Sequence, residues 1–131
     1  MPGTYGYCTP GYEAYEHPTP MEIAWAAGIF EGEGCAYRNG RNGTFALVAQ
    51  KERWLVDRLQ SLFGGSVKEI VRKPKASFKG GTYYGWNACG ARARGFLMTV
   101  YKFLSPRRKE QAKFALGLRD NPNTKPALAQ G

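Results

Sequence analysis

Chemistry is most concentrated where a run of small residues meets two acids, at Glu31-Gly32-Glu33-Gly34. Ala24, Gly28 and Gly32 recur every four positions up to this point, the spacing that lines residues along one helix face, with Ala27 beside them. Such a face admits another helix at close range. Packing against the chain's own sheet is the plain reading, and pairing with a second copy is the sharper one. Acids at a helix C-terminus stand against the helix dipole and call for a compensating cation. If two copies pack about a two-fold axis, both Glu33 side chains meet at the centre. Paired carboxylates holding divalent ions suit phosphodiester hydrolysis. The expected contacts of that dimer are Ala24, Ala27, Gly28 and Glu31.

Other chemistries are poorly supplied. The single histidine, His17, lies in a Pro-rich stretch, which argues against Ser–His, Cys–His or histidine-based nuclease sites. Cys8, Cys35 and Cys89 are far apart and odd in number. They form neither a disulfide framework nor a metal-binding pair, so free thiols in a reducing compartment are expected. With no signal-like N-terminus and no membrane-length apolar run, an intracellular location, cytoplasmic or organellar, is the expectation.

Charge points to a polyanion partner. The net charge is +9 over 131 residues, and it is unevenly spread. Residues 1–34 hold five acids and no Lys or Arg, whereas residues 68–109 hold eleven Lys or Arg against Glu69 alone. A solvated basic face is the bland account, but an excess of this size fits nucleic acid better. No basic amphipathic helix with an apolar face of Trp or Phe suggests a membrane instead.

The elements that must position these groups read in order. Residues 1–18, rich in Tyr, Gly and Pro, form an irregular arm, and residues 119–131 a loose tail around a domain of 19–118. Thr19-Pro20-Met21-Glu22 is a capping box with proline at the first helical position, predicting a helix to about Glu31. The runs 35–38 and 44–49 flank the turn-rich NGRNG at 39–43 as a hairpin. A second helix is predicted from about Lys51 to Phe63, closed by Gly64-Gly65. SVKEIVRK and TYYGWNAC read as two more strands joined by a basic loop. A helix over 91–104 follows, then another, capped by Ser105, to about Leu118.

The order α-β-β-α-β-β-α-α predicts an α+β fold, a four-stranded antiparallel sheet with helices on one face and the other free. The free face is the expected DNA surface, since Arg, Lys, Asn and aromatic residues populate the strands. Alternation gives Tyr37, Asn39 and Arg41 on the first strand, Lys68 and Arg72 on the third, and Tyr84 and Trp86 on the fourth. Lys73 and Lys75 extend the set into the basic loop. A slip of one residue would exchange the two faces of a strand.

The segment Ala26-Ala27-Gly28-Ile29-Phe30-Glu31-Gly32-Glu33-Gly34 resembles the LAGLIDADG motif, in the variant that ends Gly-Glu-Gly. Gln50-Lys51 with Trp54 to Leu59 is similar to the start of that family's middle helix. Leu104 to Ala112 resembles its C-terminal basic segment. The likeness covers about residues 23–118. It implies a homing endonuclease of αββαββα fold, in which one motif per chain means a homodimer. It further implies cleavage of double-stranded DNA at a long, near-palindromic site with magnesium. Carried over by position, Glu33 is the metal-binding acid, assisted by the carbonyl of Gly32, and Glu31 closes the helix end. Gln50 orients water, and Arg108 or Lys109 stabilises charge at the scissile phosphate, with Arg53 a poorer match. Ala26 departs from the usual Leu, and Glu replaces Asp at both acidic positions.

Arg107, Arg108 and Lys109 support an anion partner independently, because cations in the first turn of a helix oppose its dipole. Two alternatives remain on the same scaffold, a catalytically inactive DNA-binding regulator and a maturase that binds intron RNA. A structural RNA-binding protein is a third, and it leaves the small-residue helix unexplained.

Overall fold

The computed structural model describes residues 14, 17–40, 43–76 and 79–119. It is an α+β fold with four helices and one four-stranded sheet. Helix α1 spans Pro20–Glu33, strands β1 and β2 Gly34–Asn39 and Gly43–Gln50, and helix α2 Arg53–Phe63. Strands β3 and β4 span Ser66–Arg72 and Gly81–Cys89, helix α3 Gly90–Val100 and helix α4 Pro106–Ala115. The sheet is antiparallel throughout, in the order β1-β2-β4-β3. No helix among the described residues is long and apolar enough to cross a membrane.

The capping box that opens α1 is formed. Thr19 Oγ1 accepts from the Glu22 N–H at 3.2 Å, and Glu22 accepts from the Thr19 N–H at 2.9 Å. Glu22 is also paired with Arg58 of α2. Helix α2 ends as expected at Gly64, whose φ of 76° suits glycine. The third helix stops at Val100 instead of reaching Leu104. A 3-10 turn over Tyr101–Phe103 takes its place, which lets Leu104 turn extended and bury itself before Ser105-Pro106 restarts the chain. Helix α4 also ends early, at Ala115. Gly117 adopts φ 79°, and the N–H groups of Gly117 and Leu118 donate to Phe114 and Lys113, closing the helix with a Schellman motif.

All the helices pack on one face of the sheet. Gly34 and Ala36 of β1, Thr44, Ala46 and Val48 of β2, and Trp86 and Ala88 of β4 are buried beneath them. Phe96 of α3 is the aromatic hub, meeting Phe30, Phe63 and Trp86 edge-on at centroid distances of 5.4, 4.9 and 4.9 Å. The opposite set of side chains faces away from every described helix. It includes Tyr37 and Asn39 on β1, Phe45, Leu47 and Ala49 on β2, Lys68, Ile70 and Arg72 on β3, and Tyr83 and Asn87 on β4.

The expectation of three free thiols is corrected. Cys35 is free, but Cys89 is disulfide-bonded to a partner outside the described residues. The cysteines therefore give no argument for a reducing compartment.

Candidate nucleic-acid and metal site

Glu31 and Glu33 end the same helix and have opposite surroundings. Glu31 Oε1 accepts from the Ser105 N–H at 2.8 Å, and Oε2 from the Ser105 hydroxyl at 2.8 Å. The backbone N–H of Ser105, then its hydroxyl and the nearby Arg108 and Arg107 guanidinium groups, hold the Glu31 carboxyl below its ordinary pKa, against the opposing effect of desolvation. Glu31 thus ties the end of α1 to the start of α4, as its expected helix-closing role requires. Both carboxylate oxygens are engaged within the chain. Glu33 is exposed, and its side chain has no hydrogen-bond or ion-pair partner among the described residues.

Arg108 is corrected from a phosphate-binding group to a structural one. Its residue is only 9% exposed. Nε donates to the Glu31 carbonyl at 3.1 Å, and Nη1 donates to Gln111 Oε1 at 2.8 Å, while the same oxygen accepts from the Ala36 N–H. The guanidinium also lies over Phe30 at 5.9 Å. A cation on the last carbonyls of a helix complements the dipole, and this one joins α1, β1 and α4. Lys109 keeps its expected accessibility in part, half-buried with Nζ over Tyr101 at 5.5 Å.

The small-residue face divides in the same way. Ala24, Gly28 and Gly32 are exposed, in line with Met21, which is 83% exposed. A Cβ added at Gly28 or Gly32 would meet nothing within 4 Å among the described residues. At Gly34 it would run into the Phe30 ring and lie 2.7 Å from the Phe30 carbonyl. Gly34 is therefore explained by the chain's own packing, and Gly28 and Gly32 are not. Ala27 is corrected: one residue from Gly28 is about 100° around the helix, and Ala27 is buried in the core.

The strand residues fall on two faces. Tyr37, stacked on Phe45 at 5.0 Å, and Asn39, Lys68 and Arg72 lie on the open face as expected. Lys73 and Lys75 are exposed in the β3–β4 connection. Arg41 lies outside the described residues. Tyr84 and Trp86 are corrected: both point to the helices. Trp86 is fully buried opposite Val48, its indole N–H donating to the Gly64 carbonyl at 2.7 Å. Tyr84 packs against the core beneath Arg53. Their places on the open face are taken by Tyr83 and Asn87, one residue away. Tyr83 carries two cations over its ring, Lys51 Nζ at 5.6 Å and Arg72 at 5.9 Å. Tyr83, Tyr84 and Trp86 put aromatic residues on both faces of β4, so the residues alone carried no signal for this phase.

Register brings the chemical groups to one end of the sheet. Gly34 pairs with Val48, so Glu33 enters β1 beside Ala49, and Gln50 pairs with Tyr84 next to Lys51 and Tyr83. Gln50 is half-buried and shares the helix-side phase of Val48. Among the described residues no three His, Cys, Asp or Glu gather as a metal cluster. At this end of the sheet Glu33 presents an exposed carboxylate, next in the chain to Gly32. No protein-family model matches the chain, and no curated protein matches it either.

Proposed function

We propose that the chain is a site-specific double-stranded DNA endonuclease of the LAGLIDADG homing type, working as a homodimer with magnesium. One observation carries the reading. Helix α1 exposes Ala24, Gly28 and Gly32, no contact among the described residues explains the glycines, and that face ends at Glu33, a carboxylate with no partner among the described residues. Each glycine costs a helix about 1 kcal/mol relative to alanine. Close approach of a second α1 would account for both.

In such a dimer β1, an edge strand joined directly to α1, lies next to the partner, and the two open faces extend one DNA-binding surface. Two Glu33 carboxylates with the Gly32 carbonyls form an all-oxygen donor set, the kind magnesium takes. A bound divalent ion would supply Lewis acidity at the phosphoryl oxygen and a more acidic water. The chain's own contributions are the carboxylates that hold the ion, Gln50 to orient water, and Lys109 to offset phosphate charge. Lys51, Lys68, Arg72, Lys73 and Lys75 supply phosphate and base contacts, so affinity falls steeply with salt.

The experiment is cleavage of a randomised duplex library by the wild type and by Glu33→Gln, each with magnesium and with calcium. Cutting at one long, near-palindromic site, dependent on magnesium and lost in Glu33→Gln, is expected. Selective binding with no cutting would favour the second reading, an inactive DNA-binding regulator or intron maturase on the same scaffold. The engagement of Arg108 in structural hydrogen bonds is the observation on that side.

A further inference from the structure

Phe45 is buried on the side of the sheet away from the helices. It pairs with Tyr37 on β1 and with Cys89 on β4, so all three side chains stand on the open face. No described helix lies there, yet Phe45 is only 7% exposed and is not joined to the core beneath the helices. Tyr37 stacks on its ring, and Leu47, the next open-face residue of β2, extends the apolar patch. The cystine at Cys89 indicates what covers this patch. Cys89 is bonded to a cysteine outside the described residues and Cys35 is free, which leaves Cys8 of the three in the sequence. Ala14 and His17 line one cleft with Ala91 and Arg92, so the segment leading from Cys8 enters the described part of the molecule just past Cys89. Cys8 is six positions before Ala14, a reach of at most about 20 Å. The seven residues before Cys8 span at most about 25 Å, ample to cross from β4 over β2 to β1, about 10 Å away.

We propose that residues 1–13 are the occupant of this patch. A Cys8–Cys89 disulfide holds them across Tyr37, Phe45 and Leu47, and reduction of that bond releases them and frees the face. Tyr5 and Tyr7, close to Cys8, supply the aromatic surface that an apolar patch takes. The segment carries Glu13 and neither Lys nor Arg, so its charge suits a basic sheet. The redox step balances with a dithiol as reductant. Its thiolate attacks the disulfide, and both cysteine sulfurs end as thiols. The reductant closes into its own disulfide, so two electrons and two protons pass to the protein. The cover does not depend on what the face binds. Its effect on DNA rests on the endonuclease reading, in which a duplex needs the same face free.

The test uses the full chain purified without reductant, with Cys8→Ser and Cys89→Ser beside it. Peptide mapping after alkylation should find Cys8 linked to Cys89 and Cys35 alkylated. Hydroxyl-radical footprinting should find Phe45 protected in the wild type and labelled several-fold more in both variants. Trp86, fully buried beneath the helices, should stay protected in all three proteins, which certifies their folding. Affinity for a mixed-sequence duplex should rise about tenfold when dithiothreitol is added to the wild type, and Cys8→Ser should not respond. Cys8 and Cys89 both alkylated without reduction, Cys89 linked to a second copy, or Phe45 labelled alike in all three proteins overturns the cover. Disulfide-dependent protection of Phe45 with equal duplex affinity in both redox states upholds the cover and overturns its control of DNA binding. Absence of duplex binding in every protein and redox state overturns the endonuclease reading, and the footprint still decides the cover.

Discussion

On one side of its last turn, α1 is closed by its own chain: Ser105 satisfies both oxygens of Glu31, and Arg108 covers the Glu31 carbonyl and reaches Gln111. On the other side, a Cβ added at Gly28 or Gly32 would meet nothing within 4 Å, and Glu33 has no hydrogen-bond or ion-pair partner, among the described residues. Two acids of the same type, two residues apart, thus serve different ends. The difference shows that acidic character at a helix terminus does not mark a functional group. What marks it is whether the chain has used the charge itself. Arg108 shows the same for a cation: its guanidinium is buried and engaged within the chain.

Substitutions on the closed side should therefore cost stability, and those on the open side only activity or assembly. The largest effect is expected at Trp86. Trp86→Ala empties a fully buried site and leaves the Gly64 carbonyl without its donor, so denaturant unfolding should show a loss of about 3–5 kcal/mol. A stable variant with weakened DNA binding would put Trp86 back on the open face. Next comes Arg108→Ala, which removes two hydrogen bonds from a buried cation and should cost about 2–3 kcal/mol. Lys109→Ala, in the same turn, should change stability by less than about 0.5 kcal/mol and, on the proposed endonuclease reading, lower the cleavage rate. Equal stability losses in the two variants would erase the contrast between them.

The smallest expected effect is on pH dependence. Glu31 has a folded pKa below its ordinary value of 4.5. It therefore contributes stability in full above that value, and the contribution is lost as pH falls through the depressed folded pKa. Melting temperatures measured downward from pH 5 should fall less steeply for Glu31→Gln than for the wild type. Parallel curves would mean that the Ser105 contacts do not distinguish the charged form.

Much of this frame was legible in the residues. The Thr19 box, the Gly64 stop and the Ser105 cap fixed helix positions through local hydrogen bonding, and turn-rich segments separated the strands. The phase of β4 was not legible, because Tyr83, Tyr84 and Trp86 place aromatics on both faces, and alternation cannot choose between them. Only pairing with Val48 puts Trp86 inside. Arg108 was misread for a similar reason. Its carbonyl acceptor lies on Glu31, 77 positions away, and no local pattern announces a contact made by docking α4 on β1. The recurrence of Ala24, Gly28 and Gly32 put them on one helix face, but type and spacing could not say whether that face packs inward, and Ala27, read beside them, is buried.

The most direct test of a face completed by a second copy is the solution mass of the wild type and of Gly28→Leu by light scattering, each with a melting curve. A Cβ at position 28 would meet nothing within 4 Å among the described residues, so the variant should stay folded. The account predicts a wild type of twice the chain mass and a folded monomer for Gly28→Leu. A wild type that is monomeric both alone and on DNA, or a Gly28→Leu variant that remains dimeric, would contradict it.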